Sequence, residues 1–272
     1  MVQQLEANQK PEIVYPDSDG KPMSDNTEQY KWIVIIKENL EIIFAAVANV
    51  FIAGDLLWYP TEGSRKCQAP DVMVAFGRPK GRRGSYKQWL EEDIAPQVAF
   101  EILSPSNTSS EMSDKLRFYQ AHGVEEYYIY DPDRLKLTGY QREGGRLKAI
   151  EQMNGWISPL LGIRFEMTKG SLELYRPNGQ RFLTSVELEE RAIAAEEQAQ
   201  QARAEKQQAQ AEKQQAQEEK QQAQERATVA EEQAQQLQEQ LQQTQEQATE
   251  AISRIQALEE MLRRQGINLE EL

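Results

Sequence analysis

The sequence predicts a mixed α/β domain followed by one long helix, on three observations. Apolar residues recur at helical spacing from Trp32 to Val47. From Asn49 to Phe182, short β-rich runs are punctuated by glycine and proline turns, with one helical interruption. Beyond Val186 there is no proline, glycine returns only at Gly266, and a seven-residue repeat takes over.

These shifts divide the chain into an extended arm at 1–25, an α+β core at 26–185, a coiled-coil helix at 186–265 and a short end at 266–272. Charge follows the same division. The tail from Val186 holds 19 acidic and 9 basic residues, a net of −10 out of −13 for the whole chain. The core is therefore nearly balanced, and the acidic total does not exclude a nucleic-acid partner. A single cysteine, Cys67, excludes an intramolecular disulfide and a thiolate metal cluster. The polar start "MVQQLEANQKPEIVYPD" lacks the apolar centre of a secretory leader. "LEIIFAAVANVFIAG" is too short and too interrupted to span a bilayer. The expectation is a soluble, cytoplasmic protein with no membrane partner.

The first helix begins after a cap at Asp25, Asn26 or Thr27 and buries Trp32, Ile36, Leu40, Ile43 and Val47 on one face. "NVFIAG", "DLLWYP" and "PDVMVAFG" read as strands, followed by the loop "GRPKGRRGSYKQW" and the strand "QVAFEIL". Thr108-Ser109-Ser110-Glu111 fits a capping box opening a helix that ends near Gly123. The strand "EYYIYD" and two hairpins, turning at Gly144-Gly145 and Lys169-Gly170, complete the core.

In the tail, "AEKQQAQ" at 204–210 recurs at 211–217. One seam runs from Ala195 in sevens to Leu258. The other holds Ala199, Lys206, Lys213 and Lys220 and ends in Ile255 and Leu262. Alternating steps of four and three predict supercoiling and self-association, strongest through Leu237, Leu241, Ile255, Leu258 and Leu262. A solvated Gln/Glu-rich single helix or disordered tail is the alternative.

The chemistry concentrates on "PQVAFEILSPSNTSSEMSDKLRFY". Val98, Phe100 and Ile102 point to one side of their strand, and Ala99, Glu101 and Leu103 to the other. Both faces are otherwise apolar, so an ionised Glu101 needs a partner. Alone, it is better explained as a strand-end carboxylate paired with an arginine. Asp71, at the mouth of another β-rich run and in phase with Met73 and Ala75, supplies a second carboxylate. Two acids on adjacent strands suit a hard divalent cation, which activates water and offsets charge on a phosphoryl oxygen. Met112, Leu116 and Tyr119 form the buried stripe of the following helix, and Lys115 falls within the same arc, in phase to reach back toward Glu101.

Pro70-Asp71, "FEILSPS" and "DKLRFYQAHGVEEYYIYDP" together resemble the Uma-two family of endonucleases, within the PD-(D/E)XK nuclease superfamily. The resemblance covers roughly residues 10–185. It implies a restriction-endonuclease-like core and Mg²⁺- or Mn²⁺-dependent hydrolysis of DNA phosphodiester bonds. It further implies that Asp71 and Glu101 hold the metal, and that Lys115 orients water or stabilises charge on the scissile phosphate. The superfamily lysine two residues after the second acid is replaced here by Leu103, and Lys115 on the next helix is the matching position. A third acid is expected from Glu38, Glu41 or Asp55, with Asp55 preferred.

Arg78, Lys80, Arg82, Arg83 and Lys87, beside Tyr86 and Trp89, form a loop suited to tracking a nucleic-acid backbone or simply to solvation. His122 is the only histidine. It sits near a helix C-terminus, where an imidazolium is well placed, so nucleophilic triads and histidine zinc sites are disfavoured. "GRPKGRRGS" lacks the Gly-Lys-Ser/Thr ending of a phosphate loop. The leading expectation is a metal-dependent endonuclease joined to itself by its tail. The alternative is a catalytically inactive nuclease-like DNA-binding or scaffold protein, and a hydrolase of a small phosphoester stands third.

Overall fold

The computed structural model of the protein describes residues 13–20 and 22–264, so the start of the arm and the end at 266–272 lie outside the described residues. The chain divides into two compact units, Met1–Ala192 and Ile193–Leu272.

In the first unit, helix α1 (Thr27–Ile43) opens on Asn26, whose side chain accepts from the Gln29 N–H at 2.8 Å. Such a cap contributes about 1 kcal/mol by satisfying an otherwise orphaned donor. Trp32, Ile36 and Leu40 are buried as their spacing predicts. The stripe ends sooner than expected, because Val47 lies beyond the helix and is exposed. The last carbonyls, of Phe44 and Ala45, accept instead from the Lys80 ammonium at 2.7 and 2.9 Å.

Strands β1 (Val50–Gly54), β3 (Val72–Phe76), β5 (Val98–Ile102), β6 (Glu126–Asp131), β7 (Lys136–Glu143) and β8 (Arg146–Ala149) form one six-stranded sheet in that spatial order. "DLLWYP" contributes only β2 (Trp58–Tyr59), paired in parallel with β4 (Tyr86–Lys87) outside the main sheet. β9 (Arg164–Met167) and β10 (Leu172–Tyr175) form a separate hairpin.

Only β5 and β6 are parallel within the main sheet. Parallel neighbours require a crossover, and helix α2 (Ser109–Ala121) is that crossover. Thr108 caps it, accepting from Glu111 N–H at 3.2 Å. The reciprocal half of the capping box is replaced by Asn107, which donates to the Glu111 carboxylate at 3.3 Å.

The alternation along each strand yields two cores. Val72, Val74, Val98, Phe100 and Ile102 pack with Trp32, Ile36 and Leu40 of α1 and with Phe165 and Leu174 of the β9–β10 hairpin. Met73, Ala75 and Ala99 pack on the opposite face with Trp58, Tyr119 and Tyr127, beneath α2. The sheet is thus covered on both sides, the environment in which an acidic residue on β5 must find partners.

In the second unit, helix α3 (Ser185–Arg264), which begins within the first unit, continues as an unbroken, solvent-exposed helix. Among the described residues no helix is long and apolar enough to cross a membrane.

Candidate active site

Register brings the predicted acids together. Val72 of β3 stands opposite Phe100 of β5, and Gly54 of β1 stands opposite Val72. Carried one residue past the paired strand ends, that register brings Asp71 toward Glu101 and Asp55 toward Asp71, and Glu101 and Asp55 both act on the Asp71 carboxyl. Three carboxylate residues therefore form a row across the mouths of three neighbouring strands, in phase with the face that α2 covers.

Each acid is held differently. Asp71 is buried, and its Oδ2 accepts from the Ile102 N–H at 2.6 Å, a bond that uses the ladder position just past the end of β3. Glu101 is almost fully buried. Its Oε2 receives the Lys115 ammonium at 2.7 Å and its Oε1 the Tyr119 hydroxyl at 2.5 Å. Lys115 and Tyr119 are four residues apart on α2, so one helical face delivers both donors to one carboxylate. Asp55 is half-buried, in the left-handed region at φ 47°, and its N–H donates to the Pro70 and Asp71 carbonyls. Aspartate is among the few residues that tolerate this conformation, which ends β1 here.

The electrostatics follow from one lysine facing several acids. Burial, followed by the nearby Glu101 charge, pushes Asp71 well above the ordinary carboxylate value. Burial also raises Glu101, against the opposing pull of Lys115 and Tyr119. Asp55 is raised to about 6 by burial and by Asp19, with Lys115 opposing and Glu101 adding to the rise. Burial disfavours the Lys115 charge, but Glu101 outweighs it and the ammonium is held above its ordinary value. The row is short of positive charge.

That deficit fits a divalent cation. Among the described residues no three His, Cys, Asp or Glu side chains are gathered so as to hold a metal ion by themselves. Asp71 and Glu101 offer a pair of hard oxygen donors instead. Mg²⁺ characteristically takes one or two carboxylates and keeps water or phosphate oxygens in its remaining positions.

Two residues at the site were not singled out as polar participants by sequence reasoning. Tyr119 was assigned to the apolar stripe, yet its hydroxyl orients Glu101. Gln29 of α1 is buried and donates to the Ile102 carbonyl at 2.9 Å, joining the first helix to the end of β5. The available signal was a glutamine in the first turn of an otherwise core-facing helix. Glu38 and Glu41, the acids considered on that helix, lie elsewhere: Glu38 accepts from Ser185, and Glu41 pairs with Lys37 at 2.9 Å.

The basic loop is less available than its composition suggests. Arg78 is buried against Glu91 and Glu92, Arg83 pairs with Glu91 and stacks over Phe51, and Lys80 caps α1. Arg82 is exposed, and Lys87 is half-buried with its ammonium 5.7 Å from the centre of the Tyr15 ring. His122 also departs from expectation. It packs against Phe118 and Trp58, and burial together with Lys66 lowers its pKa, so the neutral imidazole is favoured at the helix end.

Comparison with known proteins shows similarity to a family profile and to solved structures. The sequence profile of the Uma2 family, described as "Putative restriction endonuclease", matches residues 3–170. A crystal structure of a protein from Anabaena variabilis, described as a putative nuclease belonging to DUF820, aligns at 17% identity with a TM-score of 0.39. The alignment covers 51% of this chain and 74% of that one. No curated protein matches the chain.

Proposed function

The chain belongs to the Uma2 family of restriction-endonuclease-like proteins, and from that premise we propose that it is a metal-dependent endonuclease that hydrolyses DNA phosphodiester bonds. The observation that carries the reading is the under-neutralised acid row: Asp71 and Glu101 opposite each other at two strand ends, with the Lys115 ammonium 2.7 Å from Glu101. A structural ion pair needs one carboxylate for one lysine. Additional desolvated acids raise the cost of the charged state, and proteins concentrate such arrangements at sites that act on ligands.

In this reading Asp71 and Glu101 hold Mg²⁺ or Mn²⁺, with Asp55 beside them as a third acid. An ion held there would supply Lewis acidity, the chemistry that activates a water and offsets charge on a phosphate oxygen. The protein's own groups do the rest. Ile102 N–H fixes one oxygen of Asp71, and Tyr119 fixes one oxygen of Glu101. Lys115 stays protonated and offers its N–H groups to the water or to a phosphate oxygen. Removal of one such preorganised donor costs on the order of 10²–10³ in rate. Arg82 and Lys87 are the basic-loop residues best disposed to meet the DNA backbone, and the tail joins copies of the chain through its leucine-rich seam.

Supercoiled plasmid incubated with Mg²⁺ or Mn²⁺ tests the assignment. We expect nicking by the wild type, and loss of at least 10²-fold in Asp71→Ala, Glu101→Gln and Lys115→Ala. Nicking that persists in all three would sink the site. The rate should rise with pH through about 6, because Asp55 must lose its proton to contribute charge.

One observation favours a second reading. Both Glu101 oxygens are already engaged by donors on α2, as in a head that binds DNA or serves as a scaffold without cutting it. DNA retarded on a gel, with no nicking under either metal, would support that alternative.

A further inference from the structure

The polar half of α3 has a charge pattern that a single helix does not satisfy. With the two seams written as heptad positions, Lys206, Lys213 and Lys220 fall at a, and Ala209, Ala216 and Ala223 at d. Glu205, Glu212 and Glu219 fall at g, each immediately before its lysine. Intrahelical ion pairs form at separations of three and four. At those separations the lysines meet only Ala202, Arg203, alanines at the d positions, and glutamines such as Gln210 and Gln217. No carboxylate stands within reach along the same helix. Residues at i−1 project about 100° away around the axis, so the neighbouring glutamate does not serve as a substitute.

Two chains laid side by side change this. In a parallel, in-register pair each a residue meets its twin, flanked by the preceding g residue of the opposite chain. Lys206 then lies beside Glu205 of the second copy, and the same holds for Lys213 with Glu212 and for Lys220 with Glu219. An antiparallel pair overlapping along its full length, Ser185 against Arg264, would instead set Lys206 near Leu241, Lys213 near Leu237, and Ile255, Leu258 and Leu262 against residues 187–194. That arrangement would press two ammonium groups onto leucine and set the apolar end against a charged, acidic one. The apolar residues are segregated to the same half in every copy. Leu237 is 66% exposed and Leu241 61% on the single helix, and Ile255 and Leu258 are also exposed. Matching like half with like half covers them.

We propose that α3 pairs with α3 of a second copy of this chain in parallel and in register. The Lys–Glu pattern sets the direction and the leucine-rich half supplies cohesion. The inference rests on self-association through the tail and adds its orientation and register. Its consequence is that the two N-terminal units join the stalk at the same end, suited to two cuts in one duplex.

The test uses the full chain with Cys67, its only cysteine, changed to serine. Ala216→Cys is introduced at a d position and the protein is oxidised. A disulfide-linked dimer on a non-reducing gel is expected, with sedimentation giving a dimer before oxidation. A second variant carries Glu205→Lys, Glu212→Lys and Glu219→Lys. It should self-associate at least tenfold more weakly at low salt, and should recover when mixed with a chain carrying Lys206→Glu, Lys213→Glu and Lys220→Glu. A dimer that forms no cross-link through position 216 overturns the parallel arrangement and leaves self-association standing. A wild-type chain that sediments as a monomer overturns both.

Discussion

Two buried glutamates in the N-terminal unit make an instructive contrast. Glu91 and Glu101 are both nearly sealed from solvent, and both are ion-paired. Glu91 receives two arginines, Arg78 and Arg83, and although burial opposes its charge, the pair of guanidiniums holds its carboxyl below the ordinary value. Glu101 receives one lysine and shares it electrostatically with Asp71, and burial carries its carboxyl above the ordinary value. Burial is common to both, so it does not distinguish them. The ratio of cation to carboxylate does. Where cations match acids, the cluster is complete and ties a loop down. Where acids exceed cations, negative charge is left under-neutralised.

The largest expected difference concerns stability against activity. Glu91→Gln takes the carboxylate from buried Arg83 and leaves Arg78 to Glu92 alone, and breaking a buried pair in this way costs about 3–5 kcal/mol. Urea unfolding should show that loss, with nicking per folded molecule unchanged. Glu101→Gln relieves repulsion on Asp71 and retains a hydrogen-bonding oxygen, so stability should change by about 1 kcal/mol or less while nicking disappears. Equal destabilisation by the two variants would erase the distinction.

A smaller effect separates the two clusters by pH. A carboxyl with a raised folded-state pKa contributes stability that is full below its unfolded value and lost as pH rises through the folded value. Asp71→Asn should therefore gain melting temperature over the wild type as pH rises from 3.8, the ordinary value, toward neutrality. A gain of about 1 kcal/mol would appear as roughly 2–4 °C. Glu91, with its pKa depressed, contributes in the opposite sense: its stability is present above the ordinary value and is lost on acidification. An Asp71→Asn advantage that shrinks with rising pH would count against the acid row. Mg²⁺ should raise the wild-type melting temperature and leave that of Asp71→Asn nearly unmoved.

The smallest expected effect lies in the basic loop. Arg82→Ala should weaken DNA retention modestly and lower the salt slope by about one phosphate contact. Arg83→Ala should act on stability instead, since its guanidinium is engaged with Glu91 and Phe51. A salt slope reduced by Arg83→Ala and untouched by Arg82→Ala would reverse the assignment.

Much of this is legible in the sequence. The stripe of Trp32, Ile36 and Leu40, a charged residue inside "VAFEIL", and the inward phase of Lys115 are all local periodicities, and local periodicity determines which face a side chain occupies. The seven-residue repeat of α3 is legible for the same reason. Tyr119 hid in plain sight, because a tyrosine on an apolar stripe reads as core until its hydroxyl partner is known.

What the sequence by itself determined, then, is phase: which residues share a face of a helix or strand. Tertiary structure alone decided register and company. It set Asp55, Asp71 and Glu101 in one row, attached Gln29 to the end of β5, and turned Arg78 and Arg83 inward to Glu91. The physical reason is that a charge is defined by its neighbours across space. The neighbours that matter here come from other strands, helices and loops, beyond the few residues over which a local pattern speaks.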